Sequence, residues 1–502
     1  MTDPMPRPAV FMETYGCQMN VLDSELVLDQ LQALGFGRVQ TPQEAGIVLM
    51  NTCSVRELSE HKVWSFLGRL GLQKKSRQEL IIGVLGCMAE REGPAILARA
   101  PHVDLVCGPS NLGELPLMLQ NVMLQRGAQV SLAGHTSRRS QTLDAALEQN
   151  LEALDLSRAA GAERTDGPQS QAYVRITRGC NKFCAFCVVP YTRGPEVHRP
   201  PDHVVQEVRR LVQGGAKEVT LLGQTVNHYV FHDGGKTTSF ADLLARVHDE
   251  VPELARLRFL TSYPRDFTDD ALDVMAGCPR ISRFLHIPAQ SGSNRLLKKM
   301  NRGYTLEGYL SLLERARARM PDISLAGDMI AGYCSETDAD HEASIKLLQA
   351  ARYKSCFIFK YSPRTGTVAH KRHADDVPDG IKKARNAELL AVQAQMSLAH
   401  HQALIGQRAT VLVERVSRLK AAPASQGELV AIGQRAGLHT GPRKAAPAGQ
   451  SRLIGRTPGD ELVAFDGPEA WLGEFVQVQV TDATSVTLRG TAVPAALAAQ
   501  SA

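Results

Sequence analysis

Three cysteines in the spacing Cys180-x₃-Cys184-x₂-Cys187 constrain this chain more than any other feature it carries. Three thiolates in so short a loop can converge on one metal centre, and cysteine is the standard ligand of iron–sulfur clusters. No fourth cysteine lies close by, so a cubane held here leaves one iron open to a small molecule. Zinc competes, because closely spaced cysteine pairs commonly bind it. A structural zinc site needs a fourth ligand, however, and the nearest histidine, His198, lies beyond Pro190 and Pro195. An open cluster is the first reading, zinc the second and chance spacing the third.

The rest of the chain favours metal over disulfides. Residues 1–8 carry no apolar run of the signal-peptide kind, and no later stretch approaches the ~18 apolar residues of a membrane span. A cytoplasmic protein with no membrane contact is expected, and there the ten cysteines stay reduced. A hydrophobic share of 43% and a charged share of 22% exclude a disordered or fibrous chain. The net charge of +5 permits an acidic partner without requiring one.

A second set of cysteines is spread more widely. Cys17, Cys53 and Cys87 lie about 35 residues apart, each just after a short apolar run at residues 9–13, 46–51 and 80–85 that reads as a buried strand. Between the first two runs, Asp23 or Ser24 is placed to cap a helix bearing Val27, Leu31 and Leu34 and stopped by Gly35. Strand–helix alternation predicts an open parallel α/β sheet, whose loops at the carboxyl ends of the strands share one edge. Three cysteines on that edge can meet in a second three-cysteine site; the competing reading is three small buried residues. Cys107, Cys278, Cys334 and Cys356 share no pattern and read as structural.

The pattern weakens over residues 131–171, a linker or insertion with one short helical stretch. Six strand-like runs follow at 173–177, 218–222, 258–261, 283–287, 324–330 and 356–361, separated by helical stretches; Asp202 is placed to cap one that Gly214 ends. Six such units predict a partial (β/α)₆ barrel, with the Cys180 loop at the carboxyl end of the first strand, where barrels place their chemistry. Past residue 406, runs at 409–414, 461–465, 475–481 and 485–489 alternate like short antiparallel strands, which suits a small all-β barrel of the OB type. Residues 420–450 are expected to form a flexible loop. The domains expected are 1–130, a linker 131–170, 171–402, 403–490 and a disordered tail 491–502.

These motifs resemble the methylthiotransferase branch of the radical S-adenosylmethionine superfamily, over almost the whole chain. Cys180, Cys184 and Cys187 match the superfamily's cluster signature. The three-part plan matches an N-terminal cluster domain, a radical barrel and a C-terminal TRAM domain that binds RNA. Tyr15-Gly-Cys17-Gln-Met-Asn20, Asn51-Thr-Cys53-Ser-Val-Arg56-Glu57, Leu222-Gly-Gln-Thr-Val-Asn227, His286-Ile-Pro-Ala-Gln290 and Met300-Asn-Arg-Gly-Tyr304 resemble the subfamily acting on tRNA. Ala331-Gly-Tyr-Cys334-Ser335-Glu336 departs from the family's usual Gly-Phe-Pro-Gly-Glu, and Gly459-Asp-Glu461 also departs from its pattern.

The resemblance implies two 4Fe-4S clusters, one on Cys180, Cys184 and Cys187 and one on Cys17, Cys53 and Cys87, with S-adenosyl-L-methionine bound at the first. It implies insertion of a methylthio group at C2 of N(6)-dimethylallyladenosine beside the anticodon, with an external electron donor, a sulfur donor and a monomeric enzyme. The alternatives are the same chemistry on a ribosomal-protein aspartate or another tRNA nucleoside, a non-catalytic iron–sulfur electron carrier, and an RNA-binding module whose cysteines hold zinc. Gly223, Gln224, Gln290, Ile330 and Gly332, at strand ends, are candidates for the nucleoside part of the cofactor; an ordinary turn or packing role competes for each. Arg193 is placed to meet a carboxylate or phosphate, although a loop arginine is more often solvated. Basic groups at 295–302 and 370–383 suit phosphate contacts or a solvated helix face.

Overall fold

The computed structural model describes residues 7–54, 57–125, 127–134, 145–158, 170–417 and 449–493. Five parallel strands open the chain in the spatial order of the sequence: β1 (Val10–Thr14), β2 (Ile47–Thr52), β3 (Ile81–Gly86), β4 (Leu105–Cys107) and β5 (Gln129–Ser131). Every residue of β2 and β3 is buried, because helices cover both faces of the sheet. That is why these strands read as continuous apolar runs rather than alternating ones.

The first helix corrects one expectation. It spans Gln18–Ala33 and starts directly after Cys17, so Asp23 and Ser24 do not cap it but are buried within it. Both side chains are committed elsewhere, Asp23 to two arginines and Ser24 to Thr14 and Asn51. The stretch expected as a linker also contributes structure: the helix Ala145–Leu156 buries Leu151, Leu154 and Asp155.

The second domain is an open barrel. Its six main strands are β6 (Gln171–Arg175), β9 (Glu218–Leu222), β12 (Arg256–Leu260), β13 (Phe284–His286), β14 (Ser324–Ala331) and β15 (Ser355–Lys360), all parallel within two three-stranded sheets, β12-β9-β6 and β13-β14-β15. A bridge from Leu257 to Ile281 joins the two sheets. Two short pairs decorate it, β7 (Thr177–Arg178) with β8 (Val197–His198), and β10 (Val230–Asp233) with β11 (Lys236–Ser239). The helix after β8 begins at Pro201, so Asp202 lies in its first turn rather than at its cap, and Gly214 does follow its end. Leu221, Leu285, Leu325 and Ile358 pack outward against the helices.

The third domain is a closed five-stranded barrel, in the order β16 (Arg408–Val416), β17 (Ser451–Arg456), β18 (Leu462–Gly467), β20 (Leu488–Ala492) and β19 (Phe475–Ala483). β17 was not anticipated: it directly follows the segment expected as a loop, of which residues 420–448 lie outside the described residues. β20 runs to Ala492, into the stretch expected to be disordered; residues 494–502 are likewise outside. This small barrel caps the amino-terminal ends of the large one. Arg256 donates to the Arg456 carbonyl (3.1 Å) and lies over the Phe475 ring, Lys354 pairs with Asp460 (2.7 Å), and Arg258 reaches Asp460 (3.4 Å). No described helix is long and apolar enough to cross a membrane.

A buried charge network fastens the first domain to the second. Arg175 of β6 donates to Asp23 (2.7 Å) and Asp155 (2.5 Å), and Arg178 also pairs with Asp155. Burial alone raises the pKa of Asp155, but the guanidiniums of Arg175, Arg178 and Arg199 more than offset it and hold the carboxyl well below the usual range. Its stabilisation is therefore complete above the unfolded value of ~3.9 and is lost only as pH falls through the lower folded value. Asp155→Ala leaves buried guanidiniums without their shared carboxylate. It is expected to destabilise the chain by about 3–5 kcal/mol at pH 7, read as a lower denaturant midpoint; an unmoved midpoint would refute the network's role.

Candidate metal centres

The three amino-terminal cysteines lie at the carboxyl ends of β1, β2 and β3, as the strand pattern implied. Gly16 lets the first two loops touch: with φ at +128°, its position has no room for a side chain, since a Cβ there would sit 2.5 Å from Cβ of Cys53. Buried amides hold the arrangement. Asn20 donates to the carbonyls of Tyr15 (3.0 Å) and Thr52 (2.9 Å), while Asn51 donates to the Asn20 carbonyl (2.9 Å). Cys17 stays partly exposed, whereas Cys53 and Cys87 are buried.

The second triad lies on the loop between β7 and the helix Val189–Thr192. Gly179, at φ +65°, begins it; a Cβ there would fall 1.9 Å from the Pro195 carbonyl oxygen, so the strand end and the returning chain approach more closely than any side chain permits. The loop is pinned through its backbone. Ala185 donates to Met300 (2.8 Å), Ala369 donates to Ala185 (2.7 Å), and Asn301 donates to the Phe183 carbonyl (3.0 Å). Arg302 places a guanidinium nitrogen 3.2 Å from the Cys184 sulfur, lies over the rings of Tyr263 and Tyr304, and donates to the Pro288 carbonyl (2.9 Å).

Burial pushes the Cys87 and Cys180 thiols up, and burial together with Cys184 pushes Cys187 up to about 12. Dry thiols of this kind become thiolates when a cation pays for the charge. The spacing of the sulfurs bears on which cation. A tetrahedral zinc with Zn–S of ~2.3 Å holds its sulfurs under ~4 Å apart. Among the described residues the one group of three or more ligands that meets within 4.8 Å is Glu196, His198 and His228, so neither cysteine triad is drawn in around a single ion.

The two triads lie on neighbouring elements: the helix Cys87–Glu92 packs against the helix Val189–Thr192, which follows Cys187. Thr192 lies in hydrogen-bonding reach of Cys87, and Cys87 and Cys187 are close enough to feel each other's charge. Arg193 spans the seam: it is buried, and one nitrogen donates to Asn20 (2.9 Å) and Asp23 (2.7 Å) while its charge acts on Cys17 and Cys87. The solvated arginine that a loop position suggests is thus replaced by a buried bridge to a carboxylate. Its sequence signal was Asp23, an acid on a helix face otherwise buried. Arg302, Tyr263 and Tyr304 were missed as partners of the second triad, because nothing local in sequence ties them to Cys184.

The other candidates follow strand ends. Gly223 and Gln224 come directly after β9. Gln290, after β13, has φ at +74° and bridges β14 through the Asp328 carbonyl (2.7 Å) and the Ile330 amide (2.9 Å). Ile330 and Phe186 both pack against the apolar cluster that includes Ala185 of the cysteine loop. Gly332 follows β14 and lies against Lys382. Of the remaining cysteines, Cys107 and Cys334 are buried in apolar clusters and Cys278 and Cys356 are partly buried.

Three family models match the chain in succession: Uncharacterized protein family UPF0004 over residues 9–108, Radical SAM superfamily over 174–348, and TRAM domain over 446–493. A tRNA-2-methylthio-N(6)-dimethylallyladenosine synthase of Rhodopirellula baltica is 42% identical, with 96% of this chain and 95% of that protein covered. The protein of the same name from Aeromonas hydrophila is 40% identical over 95% of this chain and 90% of its own. Among solved structures, the radical S-adenosylmethionine methyltransferase TsrM of Kitasatospora setae aligns at 15% identity, with a TM-score of 0.49 and 72% and 77% of the two chains covered. With its near full-length likeness to the first two, the chain belongs to the tRNA-2-methylthio-N(6)-dimethylallyladenosine synthase family of radical SAM enzymes.

Proposed function

We propose that this chain inserts a methylthio group at C2 of N(6)-dimethylallyladenosine beside the anticodon of tRNA. The observation that carries the reading is the meeting of two three-cysteine segments across one buried seam, where the helix Cys87–Glu92 packs against Val189–Thr192 and Arg193 bonds Asn20 and Asp23. An electron carrier has no use for two incomplete ligand sets opposed at the mouth of a barrel, whereas a reaction that activates a carbon at one centre and delivers sulfur from another has.

Cys180, Cys184 and Cys187 fit one 4Fe-4S cluster and Cys17, Cys53 and Cys87 a second. The bound groups supply the reductive cleavage of S-adenosylmethionine and the sulfur that is transferred. The chain does the remaining work. Arg302 sets a fixed positive charge beside the Cys184 sulfur. Gly223, Gln224, Gln290, Ile330 and Gly332, at the strand ends, would hold the nucleoside part of S-adenosylmethionine. Arg193 holds the two sites in one geometry through Asn20 and Asp23. The helix Gln18–Ala33 and the C-terminal barrel close two sides of the barrel and exclude water. The C-terminal barrel also contributes RNA affinity, and specificity comes from a loop base splayed out of its stack. The reading places a monomeric enzyme in the cytoplasm and requires an outside electron donor and sulfur source.

Mass spectrometry of tRNA nucleosides tests the substrate: deleting the gene is expected to remove the 2-methylthio group and leave isopentenyladenosine. Unchanged nucleosides would move the target to a ribosomal protein or another nucleoside. Iron analysis tests the ligands. About eight irons per chain are expected after anaerobic reconstitution, and about four when either triad is replaced by alanine; about two zincs and no sulfide would end the cluster reading. Cys184→Ala is expected to abolish 5′-deoxyadenosine release, whereas Cys53→Ala retains release and loses methylthiolated product.

A further inference from the structure

A group of ligating side chains lies outside both cysteine triads. One ring nitrogen each of His198 and His228 and a carboxylate oxygen of Glu196 lie within 4.8 Å of one another. His198, the histidine nearest the Cys180 loop in sequence, ends β8, and His228 ends the turn Val226–His228 that follows β9. Glu196 stands just before β8. The three therefore join the chain returning from the cysteine loop to the turn that comes after Gly223 and Gln224.

Each ligand is oriented by groups outside the set. His198 pairs with Thr177 across β7 and β8, and its ring meets that of the buried Tyr229 edge-on at 5.6 Å. The Glu196 amide donates to the Asn181 side chain in the cysteine loop (3.2 Å), and the Thr225 hydroxyl donates to one oxygen of its carboxylate (2.7 Å). Nδ1 of His228 lies 2.7 Å from the other oxygen. Asn227, beside His228, is locked to the backbone of Tyr263 by two hydrogen bonds of 2.9 and 2.7 Å.

The electrostatics call for a cation. The Glu196 side chain is only 2% exposed, and among the described residues its ion-pair partner is His228, with no lysine or arginine. Lys182 is committed to Asp266 (2.6 Å). A buried carboxylate is paired or coordinates a metal. A protonated His228 supplies one charge, but it leaves the His198 imidazole without a role, its buried Nδ1 having no hydrogen-bond partner among the described residues. A metal ion engages both rings and the carboxylate at once.

We infer that Glu196, His198 and His228 form a third metal site, for a divalent transition metal of the zinc type. Two imidazoles and one carboxylate are a zinc ligand set, with a fourth position left to water or another oxygen ligand. Bonds of ~2.0–2.2 Å put tetrahedral ligand atoms ~3.4 Å apart. That lies between the 2.7 Å separating Glu196 from His228 and the 4.8 Å that bounds the set. His228, with 40% of its side chain exposed, opens the site to solvent. The bound ion staples the return of the cysteine loop to the turn after β9. The inference is independent of the substrate, and no ligand of the set is a cysteine.

The test uses the anaerobically reconstituted holoenzyme, its cysteines occupied by iron, mixed with zinc sulfate and then desalted. Metal analysis is expected to find about one zinc per chain beside the iron. Zinc K-edge absorption is expected to show nitrogen and oxygen neighbours at ~2.0–2.2 Å and no sulfur at ~2.3 Å. His228→Ala, made at a half-exposed side chain, loses the zinc and keeps the iron, and Glu196→Gln, which keeps the side chain's shape, loses it too. Thr225→Val, which removes the hydrogen bond orienting the carboxylate, is expected to weaken zinc binding about 10-fold in competition with a chelator. Sulfur in the zinc shell, zinc retained by both His228→Ala and Glu196→Gln, or no zinc on the wild type overturns the site.

Discussion

The geometry of this protein depends on a cluster of charges removed from water where the first domain meets the barrel. Asp23 lies at its centre, accepting from Arg175 on one oxygen and Arg193 on the other. Neither arginine belongs to the domain that supplies the acid. Arg175 sits on the first barrel strand and Arg193 follows the cysteine loop, so the carboxylate binds both the scaffold and the loop that carries the second triad. Breaking such a pair is far costlier than never having made it, because the surviving charge stays buried. The network thus contributes less to net stability than to fixing one relative placement of two cysteine sets drawn from distant parts of the chain.

That placement explains why the seam is dry and the mouth is not. Arg193 acts on Cys17 and Cys87 without hydrogen-bonding to either sulfur, since its donors go to Asn20 and Asp23. Its positive charge is therefore fixed in position before any group binds the thiols, a preorganised field rather than a mobile counter-ion. Arg302 does the corresponding work for Cys184 from the opposite side, steadied by two tyrosine rings. Each triad thus has a buried arginine beside it, Arg193 held by Asn20 and Asp23, and Arg302 held by the Pro288 carbonyl and two tyrosine rings while it also reaches the Cys184 sulfur.

The sequence carried these features unequally. The strands behind the cysteines were legible because buried parallel strands need continuous apolar runs, and β2 and β3 are such runs. Six barrel strands were placed within two or three residues for the same reason. The two cysteine triads were legible because close spacing and position after a strand can both be read from the chain alone. The start of the first helix was misread because Asp23 and Ser24 have cap-forming side chains, and only a through-space partner shows that one is buried for pairing. β17 lacks a clean alternation, with Gly455 and flanking arginines breaking the pattern, so its pairing to β16 and β18 was invisible before the barrel closed. Arg193 and Arg302 were beyond reach for a single reason: their partners stand 170 and 118 positions away.

The same logic limits how a macromolecular substrate can enter. A barrel of six strands is open along one side by construction, and here the C-terminal barrel occupies its amino-terminal end through Arg256, Arg258 and Lys354. The helix Gln18–Ala33 occupies the side of the first three strands. The side that those two contacts do not take is that of β13, β14 and β15. Ile330 of β14 and Phe186 of the Cys180 loop pack on the same apolar cluster, together with Ala185, Met300 and Tyr361. The placement of the second triad is thereby tied to the third sheet as well as to the first domain, so the cysteine loop is fixed from both sides of the barrel mouth.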